Sequence, residues 1–121
     1  MGAYTKTQTA TIAVGEHTSN AIYLGDKLLT EIRVPADTEG THLAFQRSVD
    51  GVTYVDAYDD ANGLVLIPFT AGRSLSFSES VNLGGGARYV KLRTADAQGA
   101  NVVQADADAA LTVITRRWTR W

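Results

Sequence analysis

Apolar residues in this chain recur at every second position and nowhere at three and four over a sustained window. Ala10, Ile12 and Val14 alternate with Thr9, Thr11 and Ala13, and Val90 and Leu92 alternate with Tyr89, Lys91 and Arg93. Period two belongs to a pleated strand that buries one face, because successive side chains leave a strand on opposite sides. The nearest approach to a helical window, Ala105 to Leu111, is rich in Ala and Asp and carries no wide apolar stripe. The chain is therefore expected to be all-β.

The clearest local signal lies in Thr41 to Asp60, THLAFQRSVDGVTYVDAYDD. Leu43 and Phe45 alternate with His42, Ala44 and Gln46 on one arm, and Val52 and Tyr54 alternate with Thr53 and Val55 on the other. Between them stands Asp50-Gly51. An Asp-Gly step between alternating runs marks a tight hairpin, since Gly accepts the positive φ of the turn.

Other strands follow the same plan. The first is expected over Thr5 to Val14, where many Thr residues suit a half-exposed edge. A short strand, Ala21 to Leu24, precedes a longer one, Leu28 to Val34, with Leu28, Ile32 and Val34 on one face and Leu29, Glu31 and Arg33 on the other. Pro35 ends it, having no N–H to give the ladder. Leu64 to Phe69 is apolar at both parities, as for a strand covered on two sides, with Pro68 placing its end near an edge. Ser74 to Ser78, Arg88 to Thr94 and Leu111 to Thr115 complete the set, with Ala95 to Ala109 a long connection and Gly84-Gly85-Gly86 a loop. Short strands with turn signals at this spacing predict an all-β, single-domain antiparallel β-sandwich, jelly-roll-like, of eight or nine short strands. Residues 1–121 read as one domain, with 1–8 an N-terminal arm and 116–121 a C-terminal tail.

Composition narrows the function classes. A length of 121 residues suits one domain, and a hydrophobic share of 45% is enough for a real core. With no cysteine, disulfides and thiolate metal sites are excluded. A net charge of −2 argues against a general nucleic-acid binder. No apolar run approaches the ~18 residues of a membrane span. Met1 to Gln8 is polar and lacks an apolar signal core, so ordinary secretion is not expected.

Catalytic and metal chemistry find little to stand on. Asp56, Asp59, Asp60 and Asn62 form the densest acidic cluster, but calcium needs oxygens converging on one point, usually closed by a bidentate Glu, and Asp and Asn favour turns on their own account. Asp96, Asp106 and Asp108 fare no better. His17 and His42 are the only histidines and form no H-x-x-x-H pair for zinc. No G-x-S-x-G elbow marks a nucleophilic serine. The triple glycine lacks the Gly-Lys-Ser/Thr ending of a phosphate loop, and a strand follows it. No enzyme, no cofactor and no metal are expected. Tyr23, Tyr54 or Tyr58, and Tyr89 point outward, where they serve either as cross-strand packing pairs or as a sugar-stacking platform.

The last six residues, Arg116-Arg117-Trp118-Thr119-Arg120-Trp121, hold both tryptophans interleaved with three arginines. Trp and Arg are the types most enriched at binding hot spots. Three readings stand: a strand that folds back with Trp118 over the open end of the core, an anchor to a neighbouring subunit or partner protein, or contact with single-stranded nucleic acid or a membrane interface. Arg116, Arg117, Trp118, Arg120 and Trp121 are the candidate partner-binding residues.

Phe45-Gln46-Arg47-Ser48-Val49-Asp50-Gly51-Val52-Thr53-Tyr54 resembles the F-x-x-S-x-D-G-x-T-aromatic hairpin of discoidin-like and galactose-binding-like sandwiches. More specifically, the chain resembles small virion proteins of tailed bacteriophages. The resemblance is carried by Ser19 to Gly25, Pro35-Ala36, Phe45 to Asp60, Ala71 to Arg73 and Gly86 to Arg93, and spans about Thr11 to Ile114. These are hairpin and strand signatures, which speak for fold more than for role. The chain departs from the discoidin pattern in lacking cysteines and long ligand-binding spikes, and the Arg/Trp tail falls outside the resemblance. The phage resemblance implies a capsid decoration (cement) protein on the head surface of the virion, bracing the major capsid protein shell and self-associating, with a trimer as the natural symmetry. The alternative is a carbohydrate-binding module of a phage tail or fibre, recognising a surface glycan. Neither reading calls for a specific nucleic acid or a membrane.

Overall fold

The alternation at Ala10 and Ile12 builds a real strand, and so do eight other segments in the computed structural model, which describes residues 5–25, 27–58, 61, 63–76 and 88–117. The strands are β1 (Thr5–Ile12), β2 (Ile22–Tyr23), β3 (Lys27–Arg33), β4 (His42–Ser48), β5 (Val55–Asp56), β6 (Leu66–Pro68), β7 (Ser74–Ser76), β8 (Tyr89–Ala95) and β9 (Ala109–Arg117). The first sheet runs β1-β9-β3-β7; the second runs β2-β8-β4-β5, with β6 continuing the β5 edge along the other half of β4. Every pairing between these strands is antiparallel. The fold is an all-β sandwich.

One core joins the two sheets. Ala10, Ile12, Leu29, Ile32, Leu111 and Val113 of the first sheet pack with Ile22, Leu43, Phe45, Val90 and Leu92 of the second. Phe45 is completely buried opposite Leu92 in the β4–β8 ladder. These are the inward positions of the period-two pattern, and burying such a side chain contributes roughly 1.5–3 kcal/mol.

Four local expectations are corrected. In β3 the register shifts between Leu29 and Glu31, so a bulge places Leu29 on the core side with Ile32 and Val34, while Leu28 is only half-buried. An extra residue on one strand reverses the inside–outside parity beyond it. The hairpin is wider than a two-residue turn: Gln46 and Arg47 pair with Asp56 and Val55, leaving Val49 to Tyr54 as a loop. Val52, read as a strand residue, is 81% exposed in that loop. Leu64 to Phe69 is not buried on both faces; only Leu66–Pro68 is strand, it lies on an edge, and Leu66 and Ile67 are half-buried. Arg93, expected outward in solvent, is 6% exposed beneath the turn that follows β8.

Candidate binding site on the outer face of the second sheet

The ladder β2-β8-β4-β5 arranges its outward side chains in rows. Tyr23 stands opposite Tyr89, and Tyr89 opposite Ser48. Two residues along, Lys91 stands opposite Gln46, and Gln46 opposite Asp56. Two further along, Arg93 stands opposite Ala44. Adjacent rows are separated by about 6.5–7 Å, two strand residues.

The Arg93 end of this face is covered. After β8 the chain turns through Asp96, whose Oδ1 accepts the N–H groups of Gln98 and Ala100, and returns as a bridge between Ala95 and Asn101. Arg93 Nη1 donates to the Gly99 carbonyl at 2.9 Å and to Asn101 Oδ1 at 2.6 Å. Its Nη2 lies 3.8 Å from Asp56 Oδ1, too long to add a strong hydrogen bond. The guanidinium thus fastens the turn to the sheet, which gives the buried cation a structural role.

The other end is aromatic and, among the described residues, only partly covered. The Tyr23 and Tyr89 rings lie 5.2 Å apart between centroids, tilted by 52°. That spacing falls in the attractive range for aromatic pairs. Tyr23 is 43% exposed. Two glycines back the rings: a Cβ on Gly25 would come within 3.1 Å of Tyr23, and one on Gly51 within 3.1 Å of Tyr89. Beside them Lys91 Nζ sits 4.4 Å from the centre of the Tyr54 ring, a cation–π contact. The Tyr54 hydroxyl is buried and has no hydrogen-bond partner among the described residues. Burial raises its pKa, with the negative forms of Tyr89 and Asp50 adding to the shift. Gln46 Nε2 reaches Asp56 Oδ1 only at 3.5 Å, so both groups keep hydrogen-bonding capacity.

The hairpin loop is held from within. Asp50 Oδ1 accepts the N–H groups of Val52 and Thr53 at 2.8 and 2.9 Å and the Ser48 hydroxyl at 2.9 Å. Ser48 Oγ accepts the Gly51 N–H in turn. These donors, Thr53 first and then Val52 and Ser48, hold the Asp50 carboxyl below its usual range. On this loop Val49 and Val52 are 62% and 81% exposed, Val55 of β5 is 58% exposed, and Tyr58, past the end of β5, is 57% exposed.

The remaining candidates are dispersed. His17 Nδ1 bonds the Thr18 hydroxyl and His42 Nδ1 the Thr41 hydroxyl. No three His, Asp or Glu side chains converge on a metal-sized point among the described residues. Asp59, Asp60, Asn62 and the triple glycine lie outside those residues. Arg116 and Arg117 belong to β9, opposite Leu28 and Lys27, and Arg116 is exposed; Trp118, Arg120 and Trp121 lie outside the described residues. The Tyr23–Tyr89 pair joins residues 66 positions apart, so nothing local in the sequence announces it; only the shared outward parity of the two tyrosines does. No protein-family description and no curated protein sequence matches this chain.

Proposed function

We propose that the chain is a non-catalytic structural protein of a phage virion, a decoration (cement) protein that docks on the major capsid protein at the head surface. One observation carries the docking part of this reading: Val49 and Val52 stand exposed on a loop fixed by Asp50, and Val55 is exposed on the strand that follows. Large apolar groups exposed on one loop suit an interaction surface, and a preorganised loop loses less entropy on binding. The virion and capsid assignment rests on the resemblance of Phe45 to Asp60 and the flanking segments to small phage virion proteins. In this reading the hairpin and the Arg/Trp tail seat in junctions between capsid subunits, and a trimer matches a local three-fold of the shell.

The test is co-sedimentation of the purified chain with heads assembled from the major capsid protein of its own genome. The chain is expected to bind the heads and raise their resistance to heating. Replacing Val49, Val52 and Val55 by Ser, or removing Trp118 to Trp121, is expected to weaken binding with the fold retained. The truncation begins at 118 because Arg116 and Arg117 are part of β9. Unaltered binding by both variants overturns the proposed contacts; no binding by the parent chain overturns the capsid role.

A further inference from the structure

We propose that the aromatic end of the second sheet's outer face, at Tyr23, Tyr89, Lys91, Gln46 and Asp56, is a binding subsite for a neutral hexopyranose unit of a glycan. This rests on the glycan-binding alternative and is independent of the capsid reading.

A pyranose has one face of C–H bonds and a rim of hydroxyls that both donate and accept. An aromatic ring offers its electron-rich face to such C–H groups, and Tyr23 is the exposed member of a ring pair held at 5.2 Å. Gly25 and Gly51 leave the space in which these rings sit, so the aromatic row is in place before any ligand arrives. The next row supplies the rim contacts: the Lys91 ammonium donates, the Asp56 carboxylate accepts, and the Gln46 amide does both. The 3.5 Å separation of Gln46 Nε2 from Asp56 Oδ1 leaves both groups able to exchange that weak contact for a hydroxyl.

Charge selects the ligand class. In the polar row Lys91 is the cation open to a ligand, since Arg93, 3.8 Å from Asp56, is buried beneath its turn, and Asp56 would repel a phosphate. An aromatic platform with a few convergent polar groups of both kinds fits a neutral, hydroxyl-rich ligand. The turn pinned by Arg93 borders the polar row and limits the subsite to the aromatic end of the sheet.

The experiment is an amide-shift titration of the full chain with methyl glucoside, methyl galactoside, methyl mannoside and N-acetylglucosamine to millimolar concentration. Saturable shifts for at least one sugar are expected at Tyr23, Gln46, Tyr89 and Lys91. Tyr23→Ala should weaken that binding roughly tenfold, as loss of a central aromatic contact does. Lys91→Met should weaken it less, and Val14→Ser, at an exposed site before β2, should leave it unchanged; unperturbed spectra elsewhere confirm that the variants fold. Absence of shifts with all four sugars, shifts confined to another surface, or parent-like binding by Tyr23→Ala overturns the proposal. Capsid co-sedimentation reads the other proposal, so the two can fail separately.

Discussion

The Gln104 side chain pairs with the backbone of Glu39 as a neighbouring strand would: Nε2 donates to the Glu39 carbonyl and Oε1 accepts the Glu39 N–H, both at 3.0 Å. Nε2 also donates to Thr94 Oγ1 at 3.1 Å. Gln104 is wholly buried, so a single side chain ties the loop after β3 to the end of β8.

Gln104→Leu keeps the volume and strands the Glu39 backbone groups, while the Thr94 hydroxyl keeps its bond to the Val102 carbonyl. A loss of about 2–3 kcal/mol is expected from buried groups left unpaired. Urea unfolding measures it directly, and the melting temperature should fall by roughly 10 °C.

Arg93 and Asp56 should respond unequally although they face each other. Arg93→Met removes two hydrogen bonds to the turn and should cost about 3–6 kcal/mol, because bonds from a charged donor are each worth roughly 1.5–3 kcal/mol. Asp56→Asn loses only a 3.8 Å pairing at a partly exposed carboxylate and should cost under about 1 kcal/mol. Hydrogen exchange at Gln98 and Ala100 should quicken in the first variant and not in the second.

The Asp50 carboxyl titrates below its usual range because Thr53, Val52 and Ser48 donate to the ionised form. Its contribution is therefore fully present above the pKa of the unfolded carboxyl, about 3.9. It is lost as pH falls through the lower folded value. In Asp50→Ala the acid limb of the stability–pH curve should flatten. Carboxyl-carbon NMR of the parent chain should show Asp50 as a late-protonating Asp, and an ordinary midpoint there would contradict the loop geometry.

Gly51→Ala and Gly15→Ala form a matched pair. Both glycines have positive φ, 79° and 85°, but a Cβ at Gly51 meets the Tyr89 ring at 3.1 Å while one at Gly15 meets nothing within 4 Å. Both changes carry the backbone cost of about 1 kcal/mol. Only Gly51→Ala should shift the ring resonances of Tyr89 and Tyr23.

Strand existence was legible because period two survives in short segments: Ala10 and Ile12, Leu43 and Phe45, Val90 and Leu92 all face the core as their parity predicts. The face of β3 was not, because one bulged residue before Glu31 inverts the parity, and a bulge leaves no compositional mark here. Asp50-Gly51 marked the right place but the wrong turn: the Asp50 carboxylate takes two backbone N–H groups for itself and holds a longer loop open. Arg93 read as a surface residue because the turn that buries it comes later in the chain. The Tyr23–Tyr89 pair required the β2–β8 pairing, which depends on how the whole sheet closes.

β9 lies between β1 and β3, so the first sheet is completed by the last strand described. Thr115 and Lys6, joined by a side-chain hydrogen bond, are 109 residues apart. On the ribosome, β1 must wait on the order of ten seconds for its partner at ordinary elongation rates. Such distant pairing also makes folding slow, since loop closure precedes any reward. The threonines that line β1 keep that waiting segment polar, with only Ala10 and Ile12 to hide. Translation speed and chaperone supply, rather than core composition, should therefore set the yield of this protein in a cell.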